Sequence, residues 1–127
     1  YASVQGGGSA TYTMLAGRTL RGFSFYLGSP DMYNRMTFNF VGGGSQTLTG
    51  NEIWDGPDFG GDRSKGFRVY YDFGGQKVSS ITFESDQNAF EFDGLAGVVP
   101  EPATWAMMIM GFGAAGAMIR RRRTAVA

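Results

Sequence analysis

Residues 33–44 read YNRMTFNFVGGG, and this stretch alternates apolar and polar side chains before it ends in three glycines. Met36, Phe38 and Phe40 share one face of an extended chain, and the polar side chains between them share the other. Alternation with a period of two is typical of a β-strand that has one buried and one solvated face. The stretch therefore predicts a strand that covers a core on one side only.

The same alternation returns in four other stretches. They read RTLRGFSFYLG (18–28), GFRVYYDFGG (66–75), KVSSITFES (77–85) and NAFEFDGLAG (88–97). The apolar side chains of each stretch fall on one face, which predicts a core built mainly from aromatic rings. The predicted core residues are Leu20, Phe23, Phe25, Leu27, Met36, Phe38, Phe40, Phe67, Val69, Tyr71, Phe73, Ile81, Phe83, Phe90 and Phe92.

Turn-forming residues separate these strands, and nothing in residues 11–96 has a helical period. The turn signals are GSPD, GGGS, DGPDFGGD, FGGQ and SDQN, whose Gly, Pro, Asn and Asp residues favour tight turns. Short strands at this spacing predict an all-β fold, an antiparallel, jelly-roll-like β-sandwich over residues 1–97.

The opening of the chain, SVQGGGSATY (3–12), reads as a loop or as the tail of an earlier strand. Only about six strands are visible in the pattern, which is few for a closed jelly roll. We therefore expect a sandwich truncated at its N-terminus, in a chain that is a fragment of a longer protein or has lost a targeting segment.

Charge is distributed unevenly along the chain. Residues 1–99 contain ten acidic and seven basic residues, whereas four consecutive arginines occupy 120–123. An acidic main body argues against nucleic acid as a partner, because nucleic-acid binding needs a basic surface. The chain has no cysteine and no histidine, which excludes disulfides, Cys/His zinc sites and His-based catalytic triads within it.

The character of the sequence changes after residue 97. Residues 98–102, VVPEP, predict a linker, because each proline lacks a backbone donor and restricts the residue before it. Residues 103–119 have no charge, and Thr104 is their only polar side chain apart from the indole N–H of Trp105. As a helix they would span about 25 Å, slightly less than the roughly 30 Å of a bilayer core.

A buried core helix is the alternative for residues 103–119, but it would have a wetter face and flanks of mixed sign. Here every face is apolar, and no acid lies near the arginines. We therefore predict one short transmembrane helix at 103–119. The positive-inside rule then places the basic tail, 120–127, in the cytoplasm and the β domain outside.

This C-terminal segment resembles the PEP-CTERM sorting signal, in the variant that begins PEPxxWA. The resemblance covers residues 99–123, and it rests on the order of a motif, a short apolar helix and a basic cluster. It implies that Arg120, Arg121, Arg122 and Arg123 form the membrane stop. It implies a processing and sorting motif at Pro100, Glu101, Pro102, Trp105 and Ala106.

Proteins with such tails come from Gram-negative bacteria. The resemblance implies export, anchoring in the inner membrane with the domain in the periplasm, and processing by an exosortase. Transfer to the cell surface or extracellular matrix would follow. Many such proteins are linked to exopolysaccharide and biofilm production, so exopolysaccharide is an expected partner.

An acid-rich loop, residues 51–67, is a candidate metal site. Asp55, Asp58 and Asp62 lie among glycines, and together with Glu52 they could supply oxygen ligands to calcium. The spacing matches no EF-hand. The alternative is a solvated connecting loop whose charge is neutralised by nearby basic residues, in which case the chain binds no cofactor.

Three aromatic residues are candidates for sugar binding. Tyr26 and Tyr70 fall on strand faces opposite the apolar side chains, and Trp54 lies in the acid-rich loop. Exposed tyrosines on neighbouring strands are also ordinary stabilisers of a sheet. Glu84 and Glu91, expected in adjacent strands, resemble a glycosidase carboxylate pair no more than chance allows.

We therefore expect no enzyme activity in this chain. The leading hypothesis is an exported, membrane-anchored surface or matrix protein. One alternative is a carbohydrate-binding module for exopolysaccharide. The other is a fragment of a secreted hydrolase whose catalytic part precedes Tyr1.

Overall fold

A computed structural model describes residues 1–99, and two four-stranded antiparallel sheets make up this part of the chain. In chain order the strands are β1 (Ala2–Val4), β2 (Gly8–Thr13), β3 (Gly22–Leu27), β4 (Asn34–Phe40), β5 (Ser45–Thr49), β6 (Phe67–Asp72), β7 (Val78–Ser85) and β8 (Phe90–Val98). A short 3-10 helix, Gly50–Ile53, follows β5. The prediction of an all-β, antiparallel sandwich is confirmed.

The strand order is β1-β8-β3-β6 in one sheet, here called sheet I, and β2-β7-β4-β5 in the other, sheet II. Every connection crosses from one sheet to the other except the hairpin between β4 and β5. Eight strands in two sheets with this order are typical of a jelly roll. Strand β8 lies inside sheet I, where it pairs with both β1 and β3.

The core lies between the sheets and is largely aromatic, as the alternation predicted. Phe83 of sheet II stacks on Phe92 of sheet I with ring centroids 4.1 Å apart. It also meets Phe25 and Phe90 edge to face at 5.5 and 5.3 Å. Offset-stacked and edge-to-face contacts of this kind add to the free energy of burial.

The structure corrects the interpretation of the opening residues and the strand count. Residues 3–12 are largely strand, since β1 and most of β2 lie there, and the sheets hold eight strands rather than about six. The three strands that lie outside the five alternating stretches, β1, β2 and β5, are all edge strands. Strand β2 buries no side chain fully, and β5 half-buries only Leu48, so neither shows the alternation that reveals a half-buried strand.

The two ends of the sandwich carry different loops. The loops at residues 14–21, 41–44 and 73–77 lie at the same end as residues 98–99, and we call these four segments the C-terminal pole. Backbone hydrogen bonds connect them: the Arg21 N–H donates to the Val98 carbonyl oxygen at 2.9 Å, and the Phe73 N–H donates to that of Arg21 at 3.0 Å. The acid-rich loop lies at the opposite end.

Several predictions fall outside the described residues. These are the sorting motif from Pro100 onward, the transmembrane helix at 103–119 and the basic tail at 120–127. Within residues 1–99, no helix has both the length and the apolar character needed to cross a membrane. Strand β8 continues to Val98, one residue past the predicted end of the domain.

Candidate functional site

The C-terminal segment follows directly from the end of β8. Val98, the last residue of β8, pairs with Gly22 of β3, and its carbonyl oxygen accepts the Arg21 N–H. Pro100 is therefore two residues beyond the last strand residue of the domain. Residues 100 and 102 are prolines, and proline lacks the backbone N–H that a β-ladder uses. The domain thus ends, and the candidate motif begins, with no intervening spacer.

An apolar cavity of about 260 Å³ lies beside this exit. Strand β8 contributes Leu95, and Val99 lies just beyond it. Tyr12 of β2 and Met14, the first residue of the loop after β2, also line the cavity. Leu20 and Phe23 form its floor within the core. The cavity therefore joins the core to the surface from which the C-terminal segment emerges.

A second candidate site lies on the outer face of sheet I, where Tyr26 is 44% exposed. Tyr26 pairs with Arg68 of β6. The hydroxyl oxygen of Tyr26 nevertheless lies beside Gly66, since a Cβ built on Gly66 would be only 2.3 Å from it. The ring thus leans along the sheet toward Gly66 instead of standing away from it. The absence of a side chain at Gly66 makes room for the ring.

Carboxylates lie on the other side of this ring. Asp93 of β8 is the cross-strand partner of Tyr26, and Glu91 lies two residues earlier on the same strand. Both border a cleft of about 210 Å³ that Tyr26, Gly28 and Tyr1 also line. An exposed aromatic ring beside hydrogen-bond acceptors can hold a sugar ring, whose C–H face packs on the aromatic while its hydroxyls donate to the carboxylates.

Arg68 connects the strands under this surface. Its guanidinium donates to the Ser24 hydroxyl at 3.0 Å and to the Gly94 carbonyl oxygen at 2.5 Å. Strand β6 is thereby tied to β3 and to the register shift in β8 opposite Ser24 and Tyr26. The outer face beside Tyr26 is therefore held in one arrangement.

The three aromatic residues proposed for sugar binding have different surroundings. Tyr70 is 74% exposed and lies on the outer face of sheet I with Tyr26. Trp54 instead packs inside the acid-rich loop, stacked on Phe59 with centroids 6.0 Å apart and edge to face with Phe67. Its indole N–H donates to the Pro57 carbonyl oxygen at 2.8 Å. Trp54 thus organises the loop.

The predicted calcium ligands do not converge either. Asp58 accepts the Gly60 N–H at 2.7 Å, and Asp62 accepts both the N–H and the hydroxyl of Ser64. The Ser64 hydrogen bonds lower the pKa of the Asp62 carboxyl. Asp55 makes no such contact, and among residues 1–99 no three acidic side chains are grouped so that they could hold a metal ion. The carboxylates of Asp58 and Asp62 stabilise turns of their own loop.

Glu84 and Glu91 are not in adjacent strands, contrary to expectation. Glu84 is on β7 in sheet II and Glu91 is on β8 in sheet I. Glu84 pairs with Arg35 at 3.3 Å, and Arg35 also contacts Asp86 at 2.6 Å. The two carboxylates therefore belong to opposite sheets of the sandwich and do not form a pair.

Sequence reasoning found Tyr26 but missed Gly66, Glu91 and Asp93 as its neighbours. The alternation placed Tyr26 and Asp93 on solvated faces. It held no signal for the pairing of β3 with β8, strands that lie more than sixty residues apart.

Comparison with known proteins gives one finding. A protein-family model, the PEP-CTERM protein-sorting motif, matches residues 98–123. No curated protein and no solved structure gives a significant match. The motif implies processing by an exosortase, with export, membrane anchoring and release at the surface. The match begins at Val98, where β8 ends, so this chain joins a jelly-roll domain directly to a PEP-CTERM sorting motif.

Proposed function

We propose that the chain is a non-catalytic surface or matrix protein of a Gram-negative bacterium, and that its tail anchors it in the inner membrane with the jelly roll in the periplasm. The observation that carries the proposal is the sorting motif at residues 98–123. The apolar segment 103–119 and the four arginines after it have the order expected of an anchor with its cytoplasmic stop. Exosortase processing at Pro100, Glu101 and Pro102 then releases the domain to the surface.

Glu84 and Glu91 lie in opposite sheets, so this pair does not have the arrangement that glycoside hydrolysis needs, with two carboxyl groups on either side of one bond. Arg35 holds Glu84 in an ion pair on sheet II. The acid-rich loop uses the carboxylates of Asp58 and Asp62 for its own turns. These groups therefore have structural roles.

The test is expression in a host that encodes an exosortase, followed by cell fractionation. The wild-type chain should yield a shortened, released form. A variant with Pro100→Ala, Glu101→Ala and Pro102→Ala should instead accumulate at full length in the membrane fraction. Pro57→Ala, in an exposed loop, is the matched control and should behave as wild type. Equal release of the triple variant and the control would overturn the proposal.

A second candidate function, carbohydrate binding, is favoured by the cleft beside Tyr26. Tyr26 offers a ring that leans on Gly66, and Asp93 and Glu91 offer acceptors for hydroxyl groups. The cleft, about 210 Å³, is smaller than the roughly 300–1,000 Å³ typical of drug-sized ligands. It therefore suits a single sugar unit of a longer exopolysaccharide.

We expect Tyr26→Ala to weaken binding to exopolysaccharide from the source organism at least about tenfold. Burying an aromatic ring is worth about 1.5–3 kcal/mol, and each 1.4 kcal/mol is tenfold in affinity. Trp54→Phe keeps the loop cluster and should bind as wild type. Calorimetric titration with the polysaccharide measures both. Loss of binding in Trp54→Phe but not in Tyr26→Ala would place the site at the loop instead.

A further inference from the structure

The C-terminal pole exposes apolar side chains around the exit of the tail. Leu15 is 72% exposed, Val41 52% and Val99 49%, and Val98 is exposed as well. They come from three of the four segments of the pole. Loop 73–77 contributes none of them. Single exposed apolar side chains are ordinary, whereas a group gathered at one end of a domain marks an interaction surface.

The same pole is basic. It contains Arg18, Arg21 and Lys77, all exposed, and none of the ten acidic residues among residues 1–99 lies in its four segments. Six of those acids instead lie in the loops of the opposite end, at Asp31, Glu52, Asp55, Asp58, Asp62 and Asp86. One acid borders the pole: Asp72, at the end of β6, whose carboxylate accepts the Gly74 N–H. Within residues 1–99 the only salt bridges are those of Arg35, so Arg18, Arg21 and Lys77 form none there and the pole carries a net positive charge.

The pole is also tethered close to the membrane. Only three residues separate Val99 from residue 103, where the apolar segment begins. Four extended Cα steps span at most about 14 Å. The headgroup layer is itself roughly 5–8 Å thick on each side of the bilayer. The pole therefore cannot move far from the headgroups while the segment is inserted.

We propose that the C-terminal pole is a lipid-binding surface that rests on anionic phospholipid headgroups beside the inserted tail. This inference rests on the proposed membrane anchoring. Arg18, Arg21 and Lys77 would bind lipid phosphates, and Leu15 and Val41 would enter the boundary between headgroups and acyl chains. The resulting orientation holds residues 100–102 at the bilayer surface and directs the acidic end of the sandwich away from the anionic membrane.

The test uses the full chain reconstituted in vesicles. Because the protein has no cysteine, Ala16→Cys and Asp58→Cys each carry one environment-sensitive dye, the first in the loop 14–21 and the second in the acid-rich loop. Acrylamide, an uncharged quencher, reports the accessibility of the dye. In vesicles of phosphatidylcholine with phosphatidylglycerol, the dye at residue 16 should be quenched several-fold less than the dye at 58. In vesicles of phosphatidylcholine alone, the difference in quenching between the two dyes should largely disappear.

Charge reversal separates lipid binding from simple proximity. In a variant with Arg18→Glu, Arg21→Glu and Lys77→Glu, acrylamide should quench the dye at residue 16 as strongly as the dye at residue 58. The matched control, Arg63→Glu with Lys65→Glu in the opposite loop, should keep the protection. High salt should act like the charge reversal, because the Debye length falls to about 3 Å at 1 M. Near-ultraviolet circular dichroism checks that each variant keeps its packed core.

Three results would overturn the inference. Equal quenching of the dyes at residues 16 and 58, in vesicles with which the protein floats, would overturn this inference and leave the proposed anchoring standing. Protection that depends on protein density and not on lipid charge would assign the pole to a second copy of the chain. Failure of the full chain to float with vesicles would overturn the proposed anchoring, and this inference with it.

Discussion

Tyr71 joins the aromatic core to the acid-rich loop through one side chain. Its ring stacks near Phe23 and Phe25 and meets Phe38 edge to face at 5.0 Å. Its hydroxyl donates to the carbonyl oxygen of Ile53, at the end of the 3-10 helix. Burial raises the pKa of the phenol above its ordinary value of 10.0. The folded state therefore favours the neutral phenol.

This shift has a consequence at alkaline pH. In the unfolded chain the phenol of Tyr71 ionises from about pH 10, whereas in the folded chain it stays protonated. Its contribution to the free energy of unfolding is complete below pH 10 and falls as the pH rises above it. We expect Tyr71→Phe to cost about 1 kcal/mol at neutral pH, because Ile53 loses a hydrogen-bond donor.

Tyr71→Phe should also make the decline in stability above pH 10 shallower. Urea unfolding at a series of pH values measures both effects. Tyr70→Phe is the matched control, because Tyr70 is the neighbouring residue and its side chain is exposed. This variant should keep the wild-type dependence of stability on pH. An unchanged alkaline slope in Tyr71→Phe would contradict the assignment.

At the scale of the strand, β8 has two parts that differ in how many neighbouring strands they pair with. Its first three residues, Phe90 to Phe92, pair with β1 on one side, and that pairing ends there. Residues 93–98 are exposed and rely on β3 alone for their ladder, with a register shift opposite Ser24 and Tyr26. Arg68 supports the shifted part from β6 through the Gly94 carbonyl oxygen.

We therefore expect Arg68→Met to loosen the second half of β8. Methionine keeps an apolar stem but donates no hydrogen bond, so the loss should be about 1–3 kcal/mol of unfolding free energy. Hydrogen exchange should accelerate at residues 94–98 more than at Ile81 or Phe83 in β7. Lys77→Met, at an exposed position, is the control. Equal acceleration in both strands would show a global effect and contradict the local role.

At the scale of the molecule, the two ends of the sandwich have opposite chemistry. The C-terminal pole is apolar and basic, and the far end is rich in carboxylates. The sorting motif begins at the pole, at Val98. Because the jelly-roll order brings three loops to the end where β8 finishes, this asymmetry is a property of the topology and not of any one segment.

The core was predictable because alternation is a local property of the chain. The positions of Phe25, Phe83 and Phe92 in the core follow from their spacing, and the structure buries all three. The edge strands β1, β2 and β5 were not predictable in the same way. The side chains of β2 and β5 are mostly exposed, so no apolar face marks these strands in the sequence. Strand β1 has only three residues and buries only Val4 fully, which is too short for a visible alternation.

The sequence by itself determined the sandwich class, its aromatic core and the sorting motif, because each depends on residues close together in the chain. Only the tertiary structure decided that Trp54 packs within the acid-rich loop, that Glu84 and Glu91 lie in opposite sheets, and that Asp93 flanks the exposed ring. It alone also gathered Arg18, Arg21 and Lys77 around the exit of the tail. These relations depend on which strands pair and which loops share an end, and long-range pairing leaves no periodic trace in a single sequence.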